Sequence, residues 1–350
     1  MRFALMIDLG RTSPDTSMAE VIRNVTAIAK TAEESGFEAL FVGEHHGHER
    51  TIAPAPFTLL TYLAGHTERI RLGTAVLCAP YWHPIRLAGE AALFDHLSGG
   101  RLELGIGRGA YPYEFARMAG GIPPEIAREQ LGELLPALRG LWAGDYAHDG
   151  TMWKFPSSTS TPRPLDPAGP PLWVSARHPD VFRLAVENRA NLMVAPLMKG
   201  FEEVVSLRER VDAATAEVDN GFVPEMMVLR NTYVSAEGED LTAAAEAYRR
   251  DSGTFENLYS TNGKVEQGWV EYIDPSISES RSEYTVEKIL ENLVFGTSAE
   301  VVEQLRAYEE VGTDVYLYDA SLGMSLEEEL ASIRRFGAEV IPHYATAKEN

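Results

Sequence analysis

The stretch "GEHHGHERT", Gly43 to Thr51, sets three histidines and two glutamates within nine residues. Those residue types at that spacing admit three chemistries: a metal site, an acid/base site facing a cofactor, or a solvated loop. His45 and His46 are adjacent, so in a strand they face opposite ways and only one can enter a site. His46 and His48 share a side only if the chain stays extended through Gly47. A metal site would also draw on later strand ends, where His178 is the one suitably placed histidine, so no metal is expected. An imidazole directly after a buried strand can instead donate or accept a proton near neutral pH.

Two further stretches have the chemistry of anion binding. In "LELGIGRGA" Arg108 stands among Gly105, Gly107 and Gly109, which leave little bulk at a strand end and let a planar or phosphate-bearing ligand approach the backbone. The guanidinium fork matches a phosphate. In "VSARHPD" Pro179 suits the first turn of a helix, which places the amides of Arg177, His178 and Asp180 near a helix start, with Arg177 adding a formal positive charge. Asp180 would oppose a phosphate if it faced the same way.

The elements that must position these residues alternate along the chain. Nearly continuous apolar runs read as buried strands: "FALMIDLG", "FEALFVGEH", "IRLGTAVLCA", "RLELGIGRG", "PLWVSARH", "ANLMVAPLM", "EMMVLRNTYVS" and "DVYLYDAS". Between them lie stretches of helical period, such as "MAEVIRNVTAIAKTAEESG", and the run from Thr297 to Gly312, where Thr297 and Glu300 are spaced as a capping box. Eight strand–helix units predict a (β/α)8 barrel over residues 1–350 as a single domain. Two excursions interrupt it: 145–171, rich in Pro, Ser, Thr and Gly, and the polar stretch 236–285, an insertion at the barrel mouth. A doubly wound sheet is the competitor, but "DLGRTS" follows the first strand where a G-x-G-x-x-G turn belongs.

Barrel sites lie at the C-terminal strand ends. Those ends read Asp8, Glu44 and His45, Thr74 to Leu77, Arg108, Ser175 to His178, Pro196 and Lys199, with Tyr316 and Tyr318 in the last strand. A net charge of −21 argues against nucleic acid or an anionic membrane surface as partner. The single cysteine, Cys78, excludes an intrachain disulfide and a multi-cysteine metal centre. The opening "MRFALMIDLG" is too short an apolar run for a signal peptide, and no run reaches the ~20 residues of a membrane helix. A cytoplasmic protein is expected.

Several consecutive motifs then carry a resemblance: "ESGFEALFVGEHH", "RIRLGTAVL", "HPIRLAGEAALFDHLSGGRLELGIGRG" and the "EF" of "YPYEFARMAGG". In this order and spacing they resemble the bacterial luciferase-like flavin-dependent oxidoreductases, densely over residues 1–120 and more loosely beyond. The resemblance implies a luciferase-like TIM barrel, usually a homodimer, that binds reduced FMN or, in some branches, F420. It places the family's acid/base histidine on His45 and a carboxylate near the flavin ring on Glu44. It sets Thr74, Ala75 and Val76 behind the ring, with a non-proline cis peptide between Ala75 and Val76. Arg108 falls on a phosphate-binding arginine, and Ser175 to His178 fall where the phosphate site is completed. The reactive cysteine that precedes this arginine in bacterial luciferase is here Gly107, so no thiol-assisted step is expected.

The activity implied is monooxygenation: FMNH2 from a separate flavin reductase reacts with O2 to a C4a-(hydro)peroxide that oxygenates a small organic substrate. Trp82, Tyr111, Tyr113 and the tyrosines of the last strand are candidates for an aromatic substrate wall. F420-dependent hydride transfer is the alternative, with Arg177 and Lys199 as the basic groups for its acidic tail. A non-catalytic flavin-binding homologue is the third reading.

Overall fold

The computed structural model describes residues 1–11, 13–261, 263–274 and 281–344. Parts of the expected 236–285 insertion, residues 262 and 275–280, lie outside them, as do the last six positions of the 1–350 barrel domain.

Eight parallel strands form the barrel: Arg2–Ile7, Ala39–Val42, Arg71–Thr74, Leu102–Gly107, Leu172–Ser175, Asn191–Val194, Met226–Ser235 and Val315–Asp319. They neighbour one another in chain order, and the eighth closes on the first, with Phe3 opposite Tyr316 and Met6 opposite Asp319. The (β/α)8 expectation is met, and so is its order of strands. Each strand is shorter than its apolar run.

Alternation along the strands makes two cores. Ala4, Met6, Phe41, Trp173, Met193, Met227 and Leu317 fill the barrel interior. Their neighbours, such as Leu5, Leu40, Leu104, Val174 and Tyr316, pack outward against the helices. Tyr316 and Tyr318 belong to this outer core. Their hydroxyls bond Thr232 and Ser332, each at 2.7 Å, which removes both from the expected substrate wall.

The helices begin where the sequence marks them. Ser17 caps Met18–Glu34, and prolines open Pro56–Ala64, Pro84–Leu97 and Pro179–Glu187. The capping box at Thr297 and Glu300 has both of its bonds. Two helices, Pro112–Met118 and Pro124–Ala143, stand where no element was assigned. An additional short strand, Val294–Thr297, is also new. The seventh barrel strand is ten residues long, and its overhang Thr232–Ser235 pairs with this segment.

The two excursions are structured. Residues 145–171 contain the hairpin Tyr146–Asp149 and Lys154–Ser158. The mouth insertion contains a 19-residue helix, Thr242–Ser260, and a small hairpin at Val265–Val270. Ala244 and Ala245 of that helix pack on Tyr233, Phe295 and Leu322, so the overhang of strand seven carries it. Among the described residues no helix is long and apolar enough to cross a membrane.

Candidate active site

The inward positions of the strands continue past the interior core into a ring at the mouth. Two residues beyond Met6 and Leu317 on the same side stand Asp8 and Asp319, and beyond Trp173 stands Ser175. Asn231 joins Asp319 from the seventh strand, its Nδ2 donating to Oδ2 at 2.9 Å. His45 enters from the second strand end. A Cβ on Gly43 would meet its ring at 3.3 Å and the Met6 methyl at 3.7 Å, so the imidazole lies over the interior core.

His45 is fixed from both ends. Its amide donates to the Ala53 carbonyl at 3.1 Å, and its Nδ1 lies 3.0 Å from Oε1 of Glu114. The same oxygen accepts from the His46 amide at 2.8 Å and lies 3.3 Å from Nε2 of His48. His48 Nδ1 accepts from the Thr51 amide, which leaves the His48 proton on Nε2, facing Glu114. Burial alone would raise the Glu114 carboxyl. The hydrogen bonds from His45 and His48, with the His46 amide, outweigh it and hold the group at about 2. Burial pushes His48 down, so it stays neutral. An ionised Glu114 therefore takes the His45 proton on Nδ1, and Nε2, which has no partner among the described residues, is left toward the mouth.

This alters the reading of the histidines. His48 is buried on Glu114. His46 turns the other way, to Glu44 at 3.2 Å and edge-on to Tyr81. His45, His48 and Glu114 have donor atoms within 4.8 Å of one another, a set capable by type of holding a metal, although none was expected. Here these donors bond one another.

Glu44 is buried with both oxygens engaged. Oε2 accepts from the Cys78 amide at 2.7 Å and the Trp82 indole at 2.9 Å, and Oε1 takes His46. It thereby ties the second strand to the continuation of the third, Leu77–Cys78. Between the two pieces of that strand the Ala75–Val76 peptide is cis, as the resemblance implied. The buried Thr74 hydroxyl donates to the Gly105 carbonyl at 2.7 Å and accepts from the Gly105 amide at 2.9 Å. Burial, Glu44 and Glu114 push the Cys78 thiol up, so it is not a thiolate.

Gly105 and Gly107, ahead of Arg108, make room for this bulge. A Cβ at Gly105 would fall 1.9 Å from the Thr74 carbonyl oxygen, and one at Gly107 would fall 2.6 Å from Val76 Cγ2. The same Gly107 position is 3.3 Å from Ser175 Cβ, which brings the ends of strands three, four and five together. Arg108 is half-buried and Arg177 exposed, and neither has a carboxylate partner among the described residues. In a chain this acidic, two unpaired arginines and an exposed Ser175 hydroxyl on adjacent strand ends fit the phosphate of a mononucleotide. The backbone is less available than expected. The Ala176 amide bonds the Met193 carbonyl at 3.0 Å, and the Asp180 amide is taken by His178 Nδ1 at 3.3 Å.

Of the expected aromatic wall, Trp82 is in the core on Glu44, and Tyr113 donates to the Gly47 carbonyl at 2.9 Å. Of that wall, Tyr111 alone has a hydroxyl without a hydrogen-bond partner among the described residues. Its ring lies between His45, at 5.1 Å, and Phe255 of the insertion helix, at 5.5 Å. Glu114 went unassigned as a site residue because it sits in a helix with no period of its own. The "EF" motif was its one signal.

Residues 1–315 match the family model of the luciferase-like monooxygenases. The chain is 38% identical over 348 residues to a flavin-dependent trigonelline monooxygenase, oxygenase component, of Acinetobacter baylyi, covering 99% of this chain and 97% of that one. Among solved structures, monooxygenase RslO1 from Streptomyces bottropensis superposes with a TM-score of 0.82 at 26% identity, covering 99% of this chain and all of that one. An F420-dependent secondary alcohol dehydrogenase in complex with an F420–acetone adduct reaches a TM-score of 0.74 at 17% identity, covering 99% of both chains, a likeness of fold alone.

Proposed function

Because the chain belongs to the luciferase-like monooxygenase family, we propose that it is the oxygenase component of a two-component system. It takes reduced FMN from a separate flavin reductase and oxygenates a small organic substrate with O2. Reduced FMN, when bound, supplies the electrons and the site of oxygen activation. The protein's own residues do the rest. Arg108 and Arg177, with the Ser175 hydroxyl, hold the phosphate. The Thr74–Val76 bulge backs the ring. His45 is the group that moves a proton, at Nε2, while Glu114 fixes its tautomer and Glu44 positions the bulge through Cys78 and Trp82.

The observation that carries this reading is the imidazole of His45, held on an ionised carboxylate at 3.0 Å, with no partner for its other nitrogen among the described residues. That is the arrangement of a general acid/base oriented by a carboxylate. FMN is favoured over F420 because Lys199, one of the two cations offered to the F420 tail, is paired with Glu203 at 3.1 Å. Trigonelline, the substrate in the relative's name, is the first compound to test. The experiment supplies reductase, FMN and O2 and measures product against a metabolite panel. Flavin-dependent, oxygen-dependent product is expected, and failure to bind FMNH2 at micromolar concentration would overturn the proposal. We extend the proposal to a cytoplasmic homodimer, for which sedimentation at twice the chain mass is the check on assembly.

A further inference from the structure

The mouth insertion grips the loop of His45 at two adjacent residues, Glu49 and Arg50, which stand between His48 and Thr51. The Glu49 amide donates to the Gly268 carbonyl of the insertion hairpin at 2.7 Å. Its carboxylate takes Arg11 at 3.2 Å, and that guanidinium lies over the Trp269 ring. Arg50 is paired with Asp251 of the insertion helix and donates from Nε to the Thr254 hydroxyl at 3.0 Å. Underneath, the Arg11 amide donates to the Glu49 carbonyl at 2.8 Å and the Ile52 amide to the Leu9 carbonyl at 2.5 Å, which lays the loop along the continuation of strand one. A Cβ on Gly10 would strike the Arg50 carbonyl oxygen, so the fit is close.

Two lines of contact run from the Arg50 side chain to His45. The first is polar. Arg50 Nη1 donates to the Thr51 hydroxyl at 3.4 Å, and the Thr51 amide donates to His48 Nδ1 at 3.3 Å. His48 Nε2 then meets the Glu114 oxygen that also holds His45. The second is aromatic. The guanidinium lies over Phe255 at 5.6 Å, Phe255 stands edge-on to Tyr111 at 5.5 Å, and Tyr111 lies against His45 at 5.1 Å.

The polar line has a chemical consequence. A neutral imidazole carries one proton, and the Thr51 amide keeps that of His48 on Nε2 by occupying Nδ1. If the loop slips at Thr51, the proton of His48 is no longer confined to Nε2. A bare Nε2 would present its lone pair to the carboxylate and repel it. Glu114 would lose a donor, and with it part of its hold on the His45 tautomer.

We propose that Arg50 is a positioning residue for His45. Clamped by Asp251 and Thr254 of the insertion helix, it fixes Thr51 and, through His48 and Glu114, the tautomer of the acid/base imidazole. The insertion helix thereby belongs to the catalytic apparatus. Only the use made of His45 rests on the oxygenase reading above.

The test is nitrogen-15 NMR of the imidazoles in the flavin-free protein, which needs no substrate. Wild type is expected to show His45 protonated on Nδ1 and His48 on Nε2. Arg50→Ala and Asp251→Asn should each show mixed tautomers at both, with FMN affinity within about twofold of wild type and turnover with reductase, FMN and O2 lower by about tenfold. Arg50 lines a cavity of about 630 Å³ together with Asp8 and Glu329, so free guanidinium can reach the place that Arg50→Ala vacates. Guanidinium is expected to restore the tautomers and part of the turnover in Arg50→Ala, and nothing in His45→Ala. Should Arg50→Ala not fold, Asp251→Asn carries the comparison. Wild-type tautomers in both variants, no recovery with guanidinium, or FMN affinity falling as far as turnover would each overturn the proposal. Mixed tautomers with unimpaired turnover would leave Arg50 as the positioning residue and overturn the role of His45 in the oxygenase reading.

Discussion

Replacing Glu114 with glutamine keeps the shape of the side chain and removes its charge. In the native protein one oxygen of this carboxylate gathers His45, His48 and the His46 amide within 3.3 Å. Holding a carboxyl at about 2 instead of its ordinary 4.5 is worth about 3 kcal/mol, at about 1.4 kcal/mol per tenfold change in acidity. The folded-state value is depressed, so this stability is fully present above pH 4.5 and is lost as the pH falls toward 2. Urea unfolding of wild type and Glu114→Gln should therefore differ by up to about 3 kcal/mol at pH 7, with the gap narrowing below about pH 4.5. The glutamine also no longer dictates which nitrogen of His45 carries the proton, so turnover should fall by about tenfold to a hundredfold, with FMN affinity retained. Equal stabilities at pH 7, or a gap that persists undiminished at pH 3, would refute the reasoning about the charge. Unchanged turnover would refute the role assigned to His45.

Other perturbations separate the remaining assignments. His45→Ala should lower turnover by about 10²- to 10⁴-fold while FMN still binds, measured by single-turnover product formation. Arg108→Ala should weaken FMN about tenfold to a hundredfold, the worth of a charge-assisted contact, but leave riboflavin, which lacks the phosphate, unaffected in a fluorescence titration. Equal losses for both ligands would remove Arg108 from the phosphate site. Gly107→Ala places a methyl 2.6 Å from Val76 Cγ2 and should cost about 1–3 kcal/mol in denaturant unfolding as strand three is pushed aside.

The sequence by itself determined the barrel, because eight apolar runs separated by helical periods leave few other ways to bury both faces of the strands. It also determined which strand ends face the mouth, and so placed His45, Arg108 and Ser175 on one rim. Local pattern could not show what those residues touch. The partner of His45 is Glu114, 69 positions away, brought in by a short helix whose apolar period is too brief to register. The same contact buries His48. Nor could local pattern show that Gly105 and Gly107 leave room for Thr74 and Val76. The polar insertion forms a 19-residue helix because the strand-seven overhang and Arg50 hold it. Tertiary structure alone set Asp8 and Glu329 around one cavity, since charge along a chain records how many carboxylates there are and not which of them face one another.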